Sequence, residues 1–233
     1  MNIIELKALC FSYPSGQQVL NNINLSLNKN EKIGLIGANG AGKSTLLQSL
    51  MGIHRASSGT ITINNLLLNT KNLKNIRKIM GFVFQDTNAQ LFCPTVFEDV
   101  AFGPKNLGYN ESEVNDLTKK ALETVNMASF AQHTPHHLSI GQKRRVSIAT
   151  VLSMNPEILL LDEPSSNLDP KSARELIKLL QKMEKTLIIA THNLELVKQV
   201  CEKTILLHQG QIKLFDNTKT ILNNEKLLLE VGL

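Results

Sequence analysis

Aromatic residues are scarce in this sequence, which has no tryptophan, two tyrosines and eight phenylalanines. Proteins that bind single-stranded nucleic acid combine basic grooves with aromatic side chains on which bases stack. Here the basic excess is small, 25 Lys and Arg against 20 Asp and Glu, and the densest basic cluster is Lys143-Arg144-Arg145. We therefore interpret the positive charge as an ordinary solvated surface and expect no nucleic-acid partner.

Cysteines and long apolar runs are scarce as well. The three cysteines, Cys10, Cys93 and Cys201, lie far apart, which indicates neither a disulfide framework nor a zinc site and fits a reducing cytosol. No apolar run approaches the ~18–20 residues that cross a bilayer. The first residues include Glu5 and lack the apolar segment of a secretory signal, so we expect a soluble intracellular protein.

Apolar residues make up 42% of the chain, enough for a substantial core, and their order predicts two kinds of sheet. Residues 19–28 alternate between apolar and polar side chains, a pattern typical of a strand with one wet face. Similar segments lie at 3–9 and 59–63. These segments predict an antiparallel sheet in the first third of the chain.

Apolar runs at 157–162 and 186–191 are continuous, and helical patterns at 171–184 and 194–202 follow them. Continuous apolar strands separated by helices predict a parallel sheet that is covered on both faces. Residues 95–154 have a mostly helical pattern. The predicted fold class is therefore α/β, with a parallel core, a small antiparallel sheet and a helical insertion.

A short apolar strand at 32–36 leads into a glycine-rich turn and a helix predicted from Lys43 to about Met51. Glycines let backbone N–H groups approach a polyanion closely, and the helix adds the positive end of its dipole. We therefore predict that the turn binds a nucleotide triphosphate. It matches the pattern G-x-x-x-x-G-K-[ST] in full, with the residues Gly37, Ala38, Asn39, Gly40, Ala41, Gly42, Lys43 and Ser44.

Individual side chains at this turn and at a second strand end predict the chemistry. Lys43 is expected to bridge the β- and γ-phosphates, Ser44 to bind Mg²⁺ and Thr45 to contact the α-phosphate. Asp162 and Glu163 end an apolar strand, at the edge where open α/β sheets bind ligands. We expect Asp162 to hold Mg²⁺ and Glu163 to polarise the attacking water, which predicts an Mg²⁺-dependent nucleotide triphosphatase.

The segment Leu138-Ser139-Ile140-Gly141-Gln142 resembles the signature sequence of ABC ATPases, and a helix is predicted from Gln142 to about Met154. This resemblance extends over nearly the entire chain and implies ATP as the nucleotide. The other positions that resemble the family are Gln85 in the Q-loop, Asp169 in the D-loop, the switch histidine His192 and the adenine-stacking aromatic Tyr13. The resemblance also implies that Gln85 senses Mg²⁺ and the attacking water.

The resemblance implies a P-loop NTPase fold with a RecA-like parallel core, in one ATP-binding domain over residues 1–233. We expect its antiparallel parts at about 1–30 and 55–80 and its helical signature subdomain at about 87–155. The RecA-like core then occupies the remainder of the chain.

In the resembling family, two ATPase domains pack head to tail, so that each nucleotide lies between one phosphate loop and the other domain's signature. Ser139, Gly141 and Gln142 are therefore expected to bind the ATP of a second ATPase subunit, either a copy of this chain or a paralogue. Ile140 stands where the family more often has glycine. We expect this departure to affect the local backbone geometry and the rate rather than the kind of function.

A narrower resemblance lies in three segments, residues 86–104, 106–108 and 136–146, which are similar to ATPase subunits of energy-coupling-factor importers. It implies uptake of a transition-metal ion (cobalt or nickel) or a vitamin such as biotin. Integral membrane subunits are then partners, and the chain acts at the cytoplasmic face of the membrane. The apolar residues after Gln85 are expected either to be exposed for docking of a membrane subunit or to pack inside the helical subdomain: Leu91, Phe92, Val96 and Phe97.

Other interpretations stay open. The chain could energise another class of transporter, for export or lipoprotein release, or it could be a soluble ABC ATPase that acts on DNA or ribosomes. The segment from Lys43 to Ser139 leaves no room for the coiled coil of DNA-repair relatives, and one phosphate loop differs from the two of translation-factor relatives. The histidines before the signature are expected to be loop residues rather than metal ligands: His133, His136 and His137.

Overall fold

The computed structural model describes residues 2–233 of the protein. Two sheets form its framework, a four-stranded antiparallel sheet and a six-stranded, mostly parallel sheet. The antiparallel sheet has the strand order β2-β1-β4-β5. Its strands are β1 (Asn2–Ser12), β2 (Gln18–Asn28), β4 (Ser58–Ile63) and β5 (Leu66–Leu67).

The alternation predicted for the second strand is confirmed, because Ile23, Leu25 and Leu27 of β2 are buried while the residues between them are exposed. The segment at 55–80 differs from the expectation of antiparallel sheet. Its strands end at Leu67, and Leu73–Ile79 form a helix instead. Within that helix Ile76 is fully buried, so one apolar side of a single turn packs against the domain while charged neighbours stay in solvent.

The larger sheet has the order β10-β9-β3-β8-β7-β6, and all neighbouring pairs are parallel except β10 with β9. The prediction of a parallel sheet is therefore confirmed. Its strands are β3 (Lys32–Ile36), β6 (Met80–Val83), β7 (Ile158–Asp162), β8 (Thr186–Ala190), β9 (Lys203–His208) and β10 (Gln211–Asn217).

Strand β7 shows why its sequence is apolar at every position. Ile158 and Leu160 belong to the hydrophobic core between this sheet and the antiparallel sheet. Leu159 and Leu161 point to the opposite face and belong to the core formed with the helices. Because both faces are covered, a side chain at either phase of the two-residue repeat must be apolar.

Nine helices are assigned within residues 2–233, and those between Val96 and Leu152 form a helical subdomain. Within the same residues, no helix combines the length and the apolar composition that crossing a bilayer requires. The helices are α1 (Lys43–Leu50), α2 (Leu73–Ile79), α3 (Val96–Leu107), α4 (Glu111–Thr124), α5 (Ile140–Leu152), α6 (Pro170–Lys182), α7 (Leu194–Val200), α8 (Thr218–Leu222) and α9 (Glu225–Glu230).

Helix α5 begins earlier than predicted, at Ile140 rather than at Gln142. The cause is a capping box, in which the Ser139 hydroxyl accepts a hydrogen bond from the Gln142 N–H at 3.3 Å. In return, Gln142 Oε1 accepts one from the Ser139 N–H at 2.9 Å. The spacing of serine and glutamine is the sequence signal for such a cap, and it places Ser139 at the exposed start of the helix.

The apolar residues after Gln85 divide between the two expectations. Leu91 and Val96 are buried in the core of the helical subdomain, so the expectation that they are exposed is wrong. Phe97 is partly buried and packs against the same core. Phe92 is 62% exposed and contacts Phe102 edge to face, with ring centroids 5.0 Å apart.

Candidate functional site

A cavity of about 440 Å³ lies at the carboxyl ends of the parallel strands β3, β6, β7 and β8. Open α/β sheets bind ligands at this edge, because loops from several strands converge there. The lining includes Gln17 and Val19, which the sequence did not single out. The predicted site residues that line it are Tyr13, Asn39, Gly40, Gly42, Lys43, Ser44, Thr45, Gln85, Glu163 and His192.

The glycine-rich turn between β3 and α1 depends on two glycines. A Cβ atom at Gly37 would lie 2.2 Å from the carbonyl oxygen of Leu207, so no other residue fits there without moving backbone. Gly42 precedes α1 with a left-handed backbone, at φ +104°. The turn therefore curves tightly and directs the N-terminus of α1 toward the cavity, an arrangement that favours anions.

The side chain of Lys43 is folded beneath this turn and is only 7% exposed. Its ammonium donates to the carbonyl oxygens of Gly37 at 2.7 Å and Ala38 at 3.1 Å. Burial lowers the pKa of Lys43, while the negative charges of Glu163 and Asp162 oppose that shift. The lining of the cavity thus includes a buried cation and the carboxylate of Glu163, and the carboxylate of Asp162 also acts on that cation.

Asp162 ends β7 and is 4% exposed, next to the cavity. Its Oδ1 accepts a hydrogen bond from Ser44 Oγ at 3.0 Å, which joins the end of β7 to the start of α1. Burial raises the pKa of Asp162, whereas this hydrogen bond and the charges of Lys43 and Arg144 act in the opposite direction. A hydroxyl and a carboxylate side by side are oxygen donors of the kind that hard divalent cations prefer.

Glu163 has an unusual backbone, with φ at +44°, in a region that costs a non-glycine residue about 1–3 kcal/mol. Three groups that follow β8 hold its carboxylate. Oε2 accepts from Thr191 Oγ1 at 2.9 Å, and Oε1 accepts from the backbone N–H of His192 at 3.2 Å. His192 Nδ1 lies 3.0 Å from Oε1, while the imidazole itself is exposed. The sequence did not indicate a role for Thr191, because a threonine before a histidine belongs to no recognisable pattern.

Tyr13 lies at the rim of the cavity, and its hydroxyl is 3.3 Å from Thr45 Oγ1. Two neighbouring rings hold it in edge-to-face contact, Phe11 at 5.0 Å and His54 at 5.6 Å between centroids. Phe11 and His54 are stacked on each other at 4.7 Å. This cluster offers an aromatic surface to a planar ligand beside the glycine-rich turn.

The signature residues lie outside the lining of the cavity. Ser139 and Ile140 are exposed at the N-terminus of α5, and Gly141 is buried against α6. A Cβ atom at Gly141 would lie 2.4 Å from Ser172 Oγ, so the glycine permits close contact between α5 and α6. Asp169 caps α6, and its Oδ2 accepts from Ser172 Oγ at 2.6 Å. Ser139, Ile140 and Asp169 therefore lie on an exposed face of the domain, beside the buried Gly141 and separate from the cavity of the same chain.

Some predicted residues do not line the cavity. Gly37, Ala38 and Ala41 belong to the turn but lie outside the lining. The loop histidines His133, His136 and His137 are exposed, and residues 2–233 contain no cluster of three or more His, Cys, Asp or Glu that could hold a metal ion.

Sequence comparison relates the chain to known proteins. The family model described as ABC transporter matches residues 20–166. The energy-coupling factor transporter ATP-binding protein EcfA of Methanococcus maripaludis is 43% identical over 233 residues, which cover 95% of this chain and 84% of the relative.

Structural comparison gives consistent neighbours. The structure of cbiO1 from Clostridium perfringens, described as part of the ABC transporter complex cbiONQ, has a TM-score of 0.88 and 35% identity and covers 99% of this chain and 94% of its own. A dimeric ATP-binding cassette, MJ0796, in a post-hydrolysis state with ADP and Pi, has a TM-score of 0.82 and 30% identity. That match covers 92% of this chain and 98% of the cassette.

Proposed function

This chain belongs to the ABC transporter family of ATPases, and we propose that it is the ATP-hydrolysing subunit of an energy-coupling-factor importer. As a family member it has the P-loop NTPase fold, binds ATP and couples ATP hydrolysis to transport. The importer class rests on the similarity to EcfA and to cbiO1, which are named as transporter components. The single observation that carries the ATP-hydrolysing role is the cavity that joins the glycine-rich turn to the ends of β7 and β8.

ATP binding follows from the groups around the cavity. The backbone of the turn and the N-terminus of α1 would receive the phosphates, with Lys43 moving its hydrogen bonds from loop carbonyls to phosphate oxygens. Thr45 would contact the α-phosphate, and the ring of Tyr13 would stack on the base. Hydrogen bonds from Lys43 to charged oxygens are stronger than those to neutral carbonyls, so the exchange favours the bound state.

The residues present fit a magnesium ion. Ser44 Oγ and Asp162 Oδ1 are 3.0 Å apart beside the turn, and the Gln85 side chain lines the same cavity. These are oxygen donors of the hard type, few in number, which suits an ion that keeps several waters and binds substrate phosphates. When bound, Mg²⁺ would neutralise charge on the phosphate oxygens. Asp162 must be ionised to take part.

We assign Glu163 the role of the base that polarises the attacking water. Hydrogen bonds from Thr191 and from the His192 backbone hold the Glu163 carboxylate at the cavity. A fixed base that accepts a proton from water is the part of phosphoryl transfer that side chains supply, beyond positioning and charge. His192 is exposed and contacts Glu163, and we propose that it contacts the γ-phosphate.

The face formed by Ser139, Gly141, Gln142 and Asp169 is the proposed contact with a second ATPase subunit. The exposed N-terminus of α5 would receive the γ-phosphate of the partner's ATP, because unpaired N–H groups and the helix dipole favour an anion there. The MJ0796 cassette is described as dimeric. Ile140 is 55% exposed in the first turn, so its side chain leaves the backbone groups of the cap free to act.

A groove of about 770 Å³ between α2 and the helical subdomain is the proposed docking site for the membrane subunits. Phe92 and Phe102, which are 62% and 48% exposed, supply its apolar surface. Lys74, Arg77 and Lys78 of α2 form its basic side. An apolar surface with a charged rim is typical of protein contact sites, and here it lies next to the loop that carries Gln85.

Docking can be tested on membranes of cells that express the tagged chain together with its own membrane subunits. Phe92→Asp should abolish co-purification of integral membrane proteins from detergent extracts, while ATP affinity stays unchanged. The matched control is Leu229→Asp in α9, since Leu229 is 76% exposed and no residue of α9 lines the groove. If Phe92→Asp retains its membrane partners, or if the wild type captures none, the docking proposal is wrong.

The resemblance to energy-coupling-factor importers also supports the cargo and the location that we propose. The cargo is a transition-metal ion such as cobalt or nickel, or a vitamin such as biotin, bound by the membrane subunits. The chain then works at the cytoplasmic face of the membrane, where ATP is available. Uptake of each radiolabelled cargo by cells that lack this chain, compared with complemented cells, distinguishes the two classes.

A further inference from the structure

Arg144, in the second turn of α5, is almost fully buried, at 2% exposure. Its two terminal nitrogens donate to consecutive backbone carbonyls, Nη1 to Phe84 O at 2.6 Å and Nη2 to Gln85 O at 2.7 Å. A planar guanidinium can bind two oxygens at once in a fixed geometry, which an ammonium cannot. Arg144 therefore fixes the backbone at the point where strand β6 gives way to the loop that carries Gln85.

Gln90 forms a second connection between the same loop and the same helix. Its Oε1 accepts from the Phe84 N–H at 3.0 Å, and its Nε2 donates to Ser147 O and Thr150 Oγ1, both at 2.8 Å. Lys143 adds a more exposed contact, from Nζ to Asn88 Oδ1 at 3.1 Å. The segment 84–90 is thus bonded to α5 along its length.

The side chain of Gln85 has no comparable support. It lines the cavity, and among residues 2–233 its amide makes no hydrogen bond to protein. Where this amide can reach therefore depends on its backbone, and its backbone depends on α5. The charge of Arg144 also acts on the cavity, since it lowers the pKa of Asp162.

We propose that Arg144 is a positioning residue that makes the Gln85 loop move as one body with helix α5. Ser139 caps the N-terminus of α5, so the same rigid unit holds Gln85 toward this chain's ATP and Ser139 toward the partner's ATP. Arg144 thereby links the two nucleotide sites of the dimer through a single chain. The inference rests on the proposed function for the identity of the ligands, but the rigid connection itself does not.

The first test is hydrogen–deuterium exchange of Arg144→Lys in the full-length protein without nucleotide. Lysine keeps the charge but cannot bind both carbonyls in the guanidinium geometry. We expect faster exchange in the peptide that covers residues 84–90, with unchanged exchange in α1. Lys119→Met, which removes a positive charge from the exposed side of α4, should leave both peptides unchanged. Unchanged exchange at 84–90 in Arg144→Lys would overturn the proposal.

The second test is a double-mutant cycle on ATP hydrolysis. Arg144→Lys should lower kcat by about tenfold with little change in ATP affinity, because it displaces a group that acts during hydrolysis. In a Gln85→Ala background, the same substitution should lower kcat by less than about twofold, since the group that it positions is already absent. Equal losses in the two backgrounds would show that Arg144 acts independently of Gln85 and would overturn the proposal.

The two tests separate this inference from the proposed function. Exchange at 84–90 needs no turnover, so it remains decisive even if the wild type were found not to hydrolyse ATP. A wild type without ATPase activity would refute the proposed function. Arg144→Met removes both donors, so it should cause faster exchange at 84–90 and a larger loss of kcat than Arg144→Lys does. The melting temperature of Arg144→Lys identifies any general loss of stability.

Discussion

The cavity around the glycine-rich turn and the exposed face at the start of α5 are built in opposite ways. At the cavity, Lys43, Asp162 and Glu163 are all less than 9% exposed, and each is fixed by hydrogen bonds. Lys43 donates to the turn, Asp162 accepts from α1, and Glu163 accepts from the segment after β8. On the face, Ser139 and Asp169 are exposed and bonded only within their own helix caps. The first site is organised within one chain, whereas the second suits the half-site that we propose a second subunit completes.

Two aspartates show the same contrast electrostatically. Burial raises the pKa of Asp162, so keeping its carboxylate ionised in the folded protein costs free energy of folding. The hydrogen bonds of the α6 cap, the Ser172 hydroxyl first, lower the pKa of Asp169. Groups kept charged at a cost in stability are typical of functional sites, whereas a capping aspartate stabilises its own helix.

The largest expected effect separates the cavity from the face. Lys43→Ala should weaken ATP binding on the order of 10²–10³-fold, because it removes a buried cation with two hydrogen bonds available for phosphate. Equilibrium binding of a fluorescent ATP analogue measures this. Ser139→Ala should leave the affinity of the isolated subunit unchanged. Equal affinities for Lys43→Ala and wild type would contradict the assignment of the cavity.

The next effect sharpens the role of the two ends of strand β7. Glu163→Gln should keep ATP binding while hydrolysis falls on the order of 10²-fold or more, because the amide cannot accept a proton from water. The matched control is Glu157→Gln, since Glu157 precedes the same strand and pairs with Lys29 at the surface. Near-normal phosphate release by Glu163→Gln would remove the proposed base from the mechanism.

The smallest effect is a pH dependence that distinguishes the two aspartates. The folded, metal-free protein binds a proton at Asp162 more readily than the unfolded chain does, because the folded pKa is raised. As the pH falls through that pKa, Asp162 becomes protonated, and as the proposed ligand it should then lose affinity for Mg²⁺. The Mg²⁺ concentration for half-maximal turnover should therefore rise on acidification, starting above the pH at which an exposed aspartate protonates.

The pKa of Asp169 shifts in the opposite direction. Its folded pKa is lowered, so it contributes stability above its unfolded pKa that is lost only as the pH falls through the lower folded value. The cap that Asp169 forms on α6 should therefore persist at pH values at which Asp162 is already being protonated. A half-maximal Mg²⁺ concentration that stays constant until exposed aspartates protonate would contradict the account of Asp162.

Residues whose roles follow from local pattern could be predicted from the sequence. Strand β3, the turn after it and the carboxylates at the end of β7 occupy the predicted places, since glycines, a lysine and an apolar run specify them over a few neighbours. The burial of Leu91 and Val96 could not be predicted in this way. It depends on packing against helices distant in the sequence, and apolar residues on a contact surface have the same local pattern.

The supporting residues were also beyond the reach of local pattern. Thr191 and Arg144 act through groups 28 and 60 residues away in the chain, Glu163 Oε2 and Phe84 O. Nothing adjacent to either residue marks these contacts. By contrast, the Ser139–Gln142 cap did carry a sequence signal, the serine-x-x-glutamine spacing, which places the helix start at Ile140.

The most direct test of the two-part site is sedimentation of the Glu163→Gln variant with ATP and Mg²⁺. The account predicts a dimer with ATP, a monomer with ADP or without nucleotide, and a monomer with ATP when Ser139→Ala is added. Asn110→Ala, which removes a capping box of the same kind from α4, should leave the ATP-dependent dimer intact. A monomer at saturating ATP, or a dimer that forms equally well without Ser139, would contradict the account.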